Sequence, residues 1–231
     1  SYWKEQQHWL KPYCVFSYLR DTYQTASFAE WPDHNSYNEE SLKYLFKPGS
    51  KTARAISFYG FVQFQLHLQL KSAVQYLHEK GIILKGDIPI GINRHGCDAW
   101  VAPELYHMNW QAGAPPDDFT AIGQNWGFPT YNWKRMQADG FAWWRQHFQQ
   151  MELYYDAFRI DHILGFFRIW SIPTHAVEGL LGRFVPAIPV RPDEFSQRGI
   201  PFDADRLCKP YITDDYLHRL FGSDTETVRN H

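Results

Sequence analysis

The run Phe158-Arg159-Ile160-Asp161-His162 carries the sharpest chemical signal in the sequence. Side chains of an extended strand alternate between faces, so Arg159 and Asp161 share one. A guanidinium beside a carboxylate keeps it ionised and oriented. That is the state a carboxylate nucleophile needs, and it is equally the state of a salt bridge closing a strand. A second constellation is Gly113-Ala114-Pro115-Pro116-Asp117-Asp118-Phe119 with Gly123-Gln124-Asn125-Trp126-Gly127. Two prolines stiffen this loop, while Asp117 and Gln124 bring hydrogen-bonding groups and Trp126 a stacking plate. Hydroxyl contacts beside an aromatic platform make a sugar subsite; the bland alternative is a polar turn anchored by tryptophan. The third is Gly86-Asp87-Ile88-Pro89-Ile90, followed by Asp98-Ala99-Trp100, where Asp87 either contacts substrate hydroxyls or caps a turn.

These residues need elements to hold them. Ala157-Phe158-Arg159-Ile160 is expected as a strand ending on Asp161-His162, and Ile82-Ile83-Leu84 as a buried strand running to Gly86-Asp87. Short helices are expected at 4–10, 12–24 and 39–45, a long one from 53 to 80 ending at Gly81, and another from 136 to 154. Between the strands, residues 89–133 form an excursion rich in turn residues, too long for a passive connection and therefore a functional loop or inserted subdomain. A turn is expected at Ile172-Pro173 and a polar, proline-punctuated tail from 182. Helix, strand, helix and strand in that order, with each strand closing on an acidic residue, predict an α/β fold. A complete (β/α)₈ barrel takes about 250 residues. Two strands point to part of a TIM barrel with long inserted loops, its barrel portion spanning 1–181, and with 182–231 the start of an insert or tail.

Composition narrows the function. The 231 residues carry 23 Lys and Arg against 25 Asp and Glu, a formal charge of −2, without the basic footprint of a nucleic-acid partner. No apolar stretch reaches membrane-spanning length, so a soluble protein is expected. Aromatic residues make up 18% of the chain, a load that serves either a large core or a groove that stacks sugar faces. Cys14, Cys97 and Cys208 are sparse and odd in number, which favours a reducing compartment. The 11 histidines lie scattered, and no phosphate loop, His-Glu-x-x-His, Cys-x-x-Cys pair or Gly-x-Ser-x-Gly elbow occurs. No metal is expected. An opening Ser1 without a leader pattern reads as a processed piece of a longer chain.

Taken together and in order, the motifs resemble the 4-α-glucanotransferases of the amylomaltase, or disproportionating enzyme, type in glycoside hydrolase family 77. The matching runs are Lys85–Ile90, Asp98-Ala99-Trp100 with Pro103-Glu104-Leu105, Gly113–Phe119, Gly123–Gly127, and Phe158–His162 with Gly165 and Phe167-Arg168. They lie between about residues 55 and 175. The later stretch 182–212 is most similar to the larger branch of the family, found in plant cytosol and in bacteria, whose members interrupt the catalytic domain with an insert.

The resemblance implies a cytoplasmic enzyme that moves α-1,4-glucan segments between maltooligosaccharides, or to glucose, by a retaining double displacement on a (β/α)₈ barrel. By motif position Asp161 is implied as the nucleophile, Arg159 and His162 as the residues bracing it and touching the sugar. Asp87 is implied as a substrate contact, and Asp117, Gln124 and Trp126 as the loop covering the glucan. No cofactor is implied, because retaining glycosyl transfer needs only carboxylates and sugar contacts, and neither membrane nor nucleic acid is implied as a partner. The chain departs from the family in one respect. The glutamate acid/base expected on the next strand is absent from the acidic residues after Asp161, with Glu178 expected in solvent, so the remainder of the catalytic domain should be needed for activity. An α-glucan hydrolase of the same clan and a non-catalytic glucan-binding module are the alternatives.

Overall fold

The computed structural model describes residues 2–209 and 212–230. Ser1, His231, and Pro210 and Tyr211 of the stretch resembling the larger family branch, lie outside the described residues. In chain order the elements of the first part are α1 (Tyr2–Tyr23), α2 (Glu39–Leu42), α3 (Lys51–Glu79), β1 (Lys85–Ile88), α4 (Cys97–Val101), β2 (Tyr106–His107), β3 (Trp110–Ala114), β4 (Gln124–Asn125) and β5 (Thr130–Tyr131). There follow α5 (Trp133–Ala138), α6 (Ala142–Glu152), β6 (Ala157–Ile160), β7 (Ile169–Pro173) and β8 (Arg183–Val185). The chain divides into two compact units between Ala187 and Ile188. Among its described residues the second unit holds four short α-helices, α7 (Pro192–Gln197), α8 (Ala204–Cys208), α9 (Asp214–Phe221) and α10 (Thr225–Arg229).

Helix α1 runs unbroken through Pro12, where two helices were expected. Proline removes one backbone donor, but Leu10, Cys14, Val15, Phe16 and Leu19 are all buried on the same helix, and tertiary packing outweighs the local cost. Helix α3 opens on Ser50, whose hydroxyl accepts from the Ala53 amide at 3.0 Å. It closes as expected at Gly81, which takes φ +70°. There the Ile82 and Gly81 amides donate to the Leu77 and His78 carbonyls at 3.0 and 2.9 Å.

Three other expectations are corrected. Ile82–Leu84 is not a strand; the strand begins at Lys85, and Ile83 is 72% exposed. An apolar run indicates neither its direction nor its partner. The helix expected over 136–154 is two, α5 and α6. The chain breaks at Gly140 and Phe141, both at positive φ, with the Asp139 carboxylate accepting from the Ala142 amide at 3.0 Å. Finally, Ile172-Pro173 ends a strand rather than making a turn, because β7 pairs antiparallel with β3 across Trp110↔Pro173 to Gly113↔Trp170.

The described strands form three sheets. β1 and β6 pair in parallel, β2 and β5 antiparallel, and β4-β3-β7-β8 make a four-stranded antiparallel sheet. The excursion at 89–133 is therefore structured, and its sheet is completed by strands that come after Asp161. One core packs Ile88, Ile90, Ala112, Tyr131, Met136, Trp144 and Ile169 beneath these sheets; a second packs Leu10, Phe16, Trp31, Ile56 and Trp100 among the first helices and α4. Most of the aromatic load is spent there: Trp100, Trp31 and Trp144 are buried. No helix among the described residues is long and apolar enough to cross a membrane.

Much apolar surface stays open. Phe58, Phe61, Leu66 and Leu68 on α3 are exposed, as are Ile160 in β6 and Ile163, Leu164 and Phe167 after it. Contiguous apolar faces and unpaired strand edges drive association. The 231-residue chain on its own should bind a hydrophobic dye such as ANS and sediment above monomer mass; a dye-silent monomer would contradict this.

Candidate active site

The parallel pair aligns Lys85 with Ala157, Gly86 with Phe158, Asp87 with Arg159 and Ile88 with Ile160. Its two ends are fastened. At the start, the Asp156 carboxylate accepts from the Leu84 amide at 2.8 Å and meets His78 Nε2 at 2.9 Å, while the Asp156 amide donates to the Leu84 carbonyl at 2.9 Å. These contacts, the amide first, hold the Asp156 carboxyl below its ordinary pKa. At the carboxyl end, the Asp161 amide donates to the Ile88 carbonyl at 3.1 Å. Asp161 therefore leaves the strand at a defined height above β1, at the strand ends where α/β sheets place ligands.

The register puts Arg159 beside Asp87. Arg159 Nε donates to Asp87 Oδ1 at 2.9 Å and Nη2 to Oδ2 at 2.5 Å, a two-pronged pair. Nη2 also stands 3.6 Å from Asp161 Oδ1, outside hydrogen-bond reach. The arginine thus binds Asp87 first and faces Asp161 second, whereas the sequence alone paired it with Asp161. The Arg159 hydrogen bond holds the Asp87 carboxyl below its ordinary value, and the same bond raises the Arg159 guanidinium. Their side chains are 54% and 58% exposed, so the pair is screened by water and adds little stability. Its effect is orientation.

After Asp161 the chain turns sharply. His162 sits in the left-handed region at φ 48°, ψ 58°, a conformation that costs a non-glycine residue about 1–2 kcal/mol. A short 3-10 turn follows over Ile163–Phe166. The turn sets the imidazole edge-on to Trp126, with ring centroids 5.0 Å apart and planes at 82°. Trp126 stacks in turn on Phe128 at 5.8 Å and 25°, and its indole N–H donates to Gln124 Oε1 at 3.0 Å.

A cavity of about 490 Å³ opens between these groups, lined by Pro89–His95, Trp126, Gly127, Phe128 and Asp161. Asp161 is its only carboxylate among the described lining residues. Another cavity of about 460 Å³ lies among α1, α3, α4 and α6; Cys97 and Asp98 line it, but none of Asp87, Asp117, Gln124, Trp126, Arg159, Asp161 and His162 does. The structure thus brings together Asp87, Arg159 and Asp161 by ion pairing, and Gln124, Trp126 and His162 by ring and amide contacts. Of these residues only Trp126 and Asp161 line the cavity; Asp87, Gln124, Arg159 and His162 stand behind those two, and Asp117 is not brought to it. The Asp117 carboxylate accepts from the Phe119 and Thr120 amides at 3.0 and 2.9 Å, closing its own turn. Sequence reasoning missed the wall Gly91–His95; its signal was a polar run directly after a strand end. No cluster of three or more His, Cys, Asp or Glu side chains among the described residues could hold a metal ion.

The family model of the 4-alpha-glucanotransferases, glycoside hydrolase family 77, matches residues 1–205. The chain belongs to that family. It is 46% identical over 219 residues to the rice protein 4-alpha-glucanotransferase DPE2, covering 95% of this chain and 23% of that one. It is 32% identical over 182 residues to a potato 4-alpha-glucanotransferase, chloroplastic/amyloplastic, covering 76% of this chain and 31% of that one. Among solved structures, an amylomaltase from Streptococcus agalactiae in complex with acarbose superposes with a TM-score of 0.72 at 26% identity, covering 96% of this chain and 46% of that one. An amylomaltase from Corynebacterium glutamicum shares the fold, with a TM-score of 0.61 at 22% identity, over 86% of this chain and 24% of that one. The chain therefore spans about a quarter to a half of the length of these family members, and shares their mixed helix-and-strand architecture.

Two predictions test the geometry. A methyl at Gly91 would stand 2.2 Å from the Phe128 ring, so Gly91→Ala should cost about 1–3 kcal/mol of overpacking, read as a lower urea midpoint. Because the folded pKa of Asp87 is depressed, its contribution is present above the ordinary aspartate value and fades as pH falls through the folded value. The small stability difference between wild type and Asp87→Asn should therefore close below about pH 4. A difference that persists unchanged to lower pH would show that Arg159 does not set the ionisation.

Proposed function

We propose that these residues form the nucleophile portion of a 4-α-glucanotransferase, on part of a (β/α)₈ barrel of which β1 and β6 are two strands. The observation that carries the reading is Asp161 on the cavity wall, with an arginine 3.6 Å away that Asp87 already holds in place. In this reading an Asp161 oxygen attacks the anomeric carbon of a bound α-1,4-glucan. The bond to the leaving O4 breaks, and that oxygen takes a proton from a second carboxyl group. The 4-hydroxyl of an acceptor sugar then attacks the same carbon, returns its proton to the second group and frees Asp161. Two inversions retain the configuration, which calls for carboxyl groups about 5–5.5 Å apart. Arg159 and His162 brace the nucleophile and meet the sugar, and Asp87 contacts hydroxyls. Gln124 and Trp126 cover the glucan, and the turn closed by Asp117 shapes the rim of that cover.

Asp87 is a poor candidate for the second group. Its pKa is held down by Arg159, so it carries no proton to donate near neutral pH. Glu178 is exposed, beside the 3-10 turn at Gly179–Leu181. The proton donor in this reading comes from another part of the protein, and the 231 residues alone should give no product ladder from maltotriose. The substrates are maltooligosaccharides and other α-1,4-glucans, in keeping with the acarbose-bound relative. No cofactor is needed for carboxylate-driven glycosyl transfer. A cytoplasmic site of action accords with three free cysteines.

The test is maltotriose incubation of the full-length protein that carries these residues, beside its Asp161→Asn variant, with products resolved by chain length. Glucose plus a ladder of longer oligomers is expected from the wild type, and a loss of at least about 10³-fold in the variant, the scale of removing a covalent nucleophile. Short sugars without a ladder would favour a hydrolase of the same clan. Binding without turnover would favour a glucan-binding module.

A further inference from the structure

Arg94 lies on the cavity wall four residues past Ile90, and its guanidinium reaches three backbone carbonyls. Nη1 donates to Met108, Nη2 to Trp110 at 2.7 Å and Nε to Gly127 at 3.3 Å. Met108 precedes β3, Trp110 begins it, and Gly127 turns the chain after Trp126. One planar fork thus ties the wall after β1 to both sides of the excursion. Lysine has the charge but not the fork, and one ammonium cannot serve three carbonyls in that plane.

The Gly127 carbonyl is where this matters. Gly127 takes φ +77° with open space where a side chain would stand, so its peptide is free to swing unless held. Its amide is held by Asn125 Oδ1 at 3.0 Å, and its carbonyl by Arg94. On either side, the Trp126 amide donates to the Ala112 carbonyl at 2.9 Å and the Ala112 amide to the Phe128 carbonyl at 2.8 Å. These rungs keep the segment on β3 without help from Arg94. Losing Arg94 would therefore release the Gly127 peptide between these rungs, and with it the set of the Trp126 and Phe128 rings, while leaving the fold intact.

We propose that Arg94 is a positioning residue that clamps the Trp126–Phe128 rim over the cavity holding Asp161, and so sets how the glucosyl intermediate divides between a sugar acceptor and water. The inference rests on the glucanotransferase reading above. A closed rim excludes water while an acceptor sugar fills the cavity; a loose rim admits water to the same carbon. The chemistry of bond cleavage at Asp161 is untouched, because Arg94 contacts neither Asp161 nor Arg159 among the described hydrogen bonds and ion pairs.

Reducing ends provide the readout: transfer conserves their number, and hydrolysis adds one per event. In the full-length protein with maltotriose, Arg94→Met should lower the ratio of transfer to hydrolysis about tenfold, the scale of one lost charge-assisted hydrogen bond. Total donor cleavage should stay within about threefold, and KM for the acceptor glucose should rise. Arg94→Lys should fall between the two, since the charge returns without the fork. Hydrogen exchange should quicken at residues 124–128 and stay unchanged in α3. If Arg94→Met fails to fold, with exchange rising throughout, the ratio in Arg94→Lys decides. A wild-type ladder with the ratio unchanged in the folded variants, or transfer and hydrolysis falling in parallel, overturns the role of Arg94 alone. A wild type that makes no ladder overturns the glucanotransferase reading, and the partition inference with it.

Discussion

The parallel pairing of β1 with β6 is the constraint on which the site depends. Parallel ladders need a long crossover between their strands, and here that crossover contains the whole excursion as well as α5 and α6. Asp156 fastens the ladder at one end and the Asp161 amide at the other. A one-residue slip would move Asp87 away from Arg159 and turn every side chain of β6 to the opposite face. The two-pronged pair is thus a consequence of register. Being half exposed, it stabilises the fold little, yet it leaves Arg159 only one direction in which to face Asp161.

The second constraint is close approach. The segments behind the cavity touch backbone to backbone or backbone to side chain. A methyl at Gly113 would meet the Gln124 carbonyl oxygen at 2.0 Å, and one at Gly165 would meet Ile90 at 2.1 Å. These glycines let β4, β1's continuation and the turn after His162 converge around one space. The four-stranded sheet supports them from behind, with strands drawn from both sides of Asp161. The segment carrying Asp161 and the loop Gly113–Gly127 are therefore parts of one folding unit.

Charge in this site works through placement more than through burial. Asp87, Arg159 and Asp161 remain about half exposed, so their energetic weight in the fold is small. Stability comes from the aromatic cores instead, where Trp31 packs on Trp100 in one and Trp144 on Tyr131 and Phe166 in the other. Trp126 differs from them: it is half-buried at the cavity and touches His162. The division leaves the polar side chains open to solvent while the scaffold behind them is closely packed.

Much of this was legible in the sequence, because local chemistry needs only local spacing. The 53–80 helix stopping at Gly81, the strand ending on Asp161, and Arg159 and Asp161 on one face all follow from periods of 3.6 and 2 and from glycine's tolerance of positive φ. The runs around Asp87, Gly113–Gly127 and Asp161 were sufficient to indicate the family. Partners distant in the chain were not legible. That Arg159 grips Asp87, 72 residues away, that β7 completes the sheet of the excursion, that Asp117 closes its own turn, and that Arg94 joins three carbonyls were decided by tertiary structure. Periodicity shows which face a side chain takes; only the register between strands and the packing of one segment on another determine what stands opposite it.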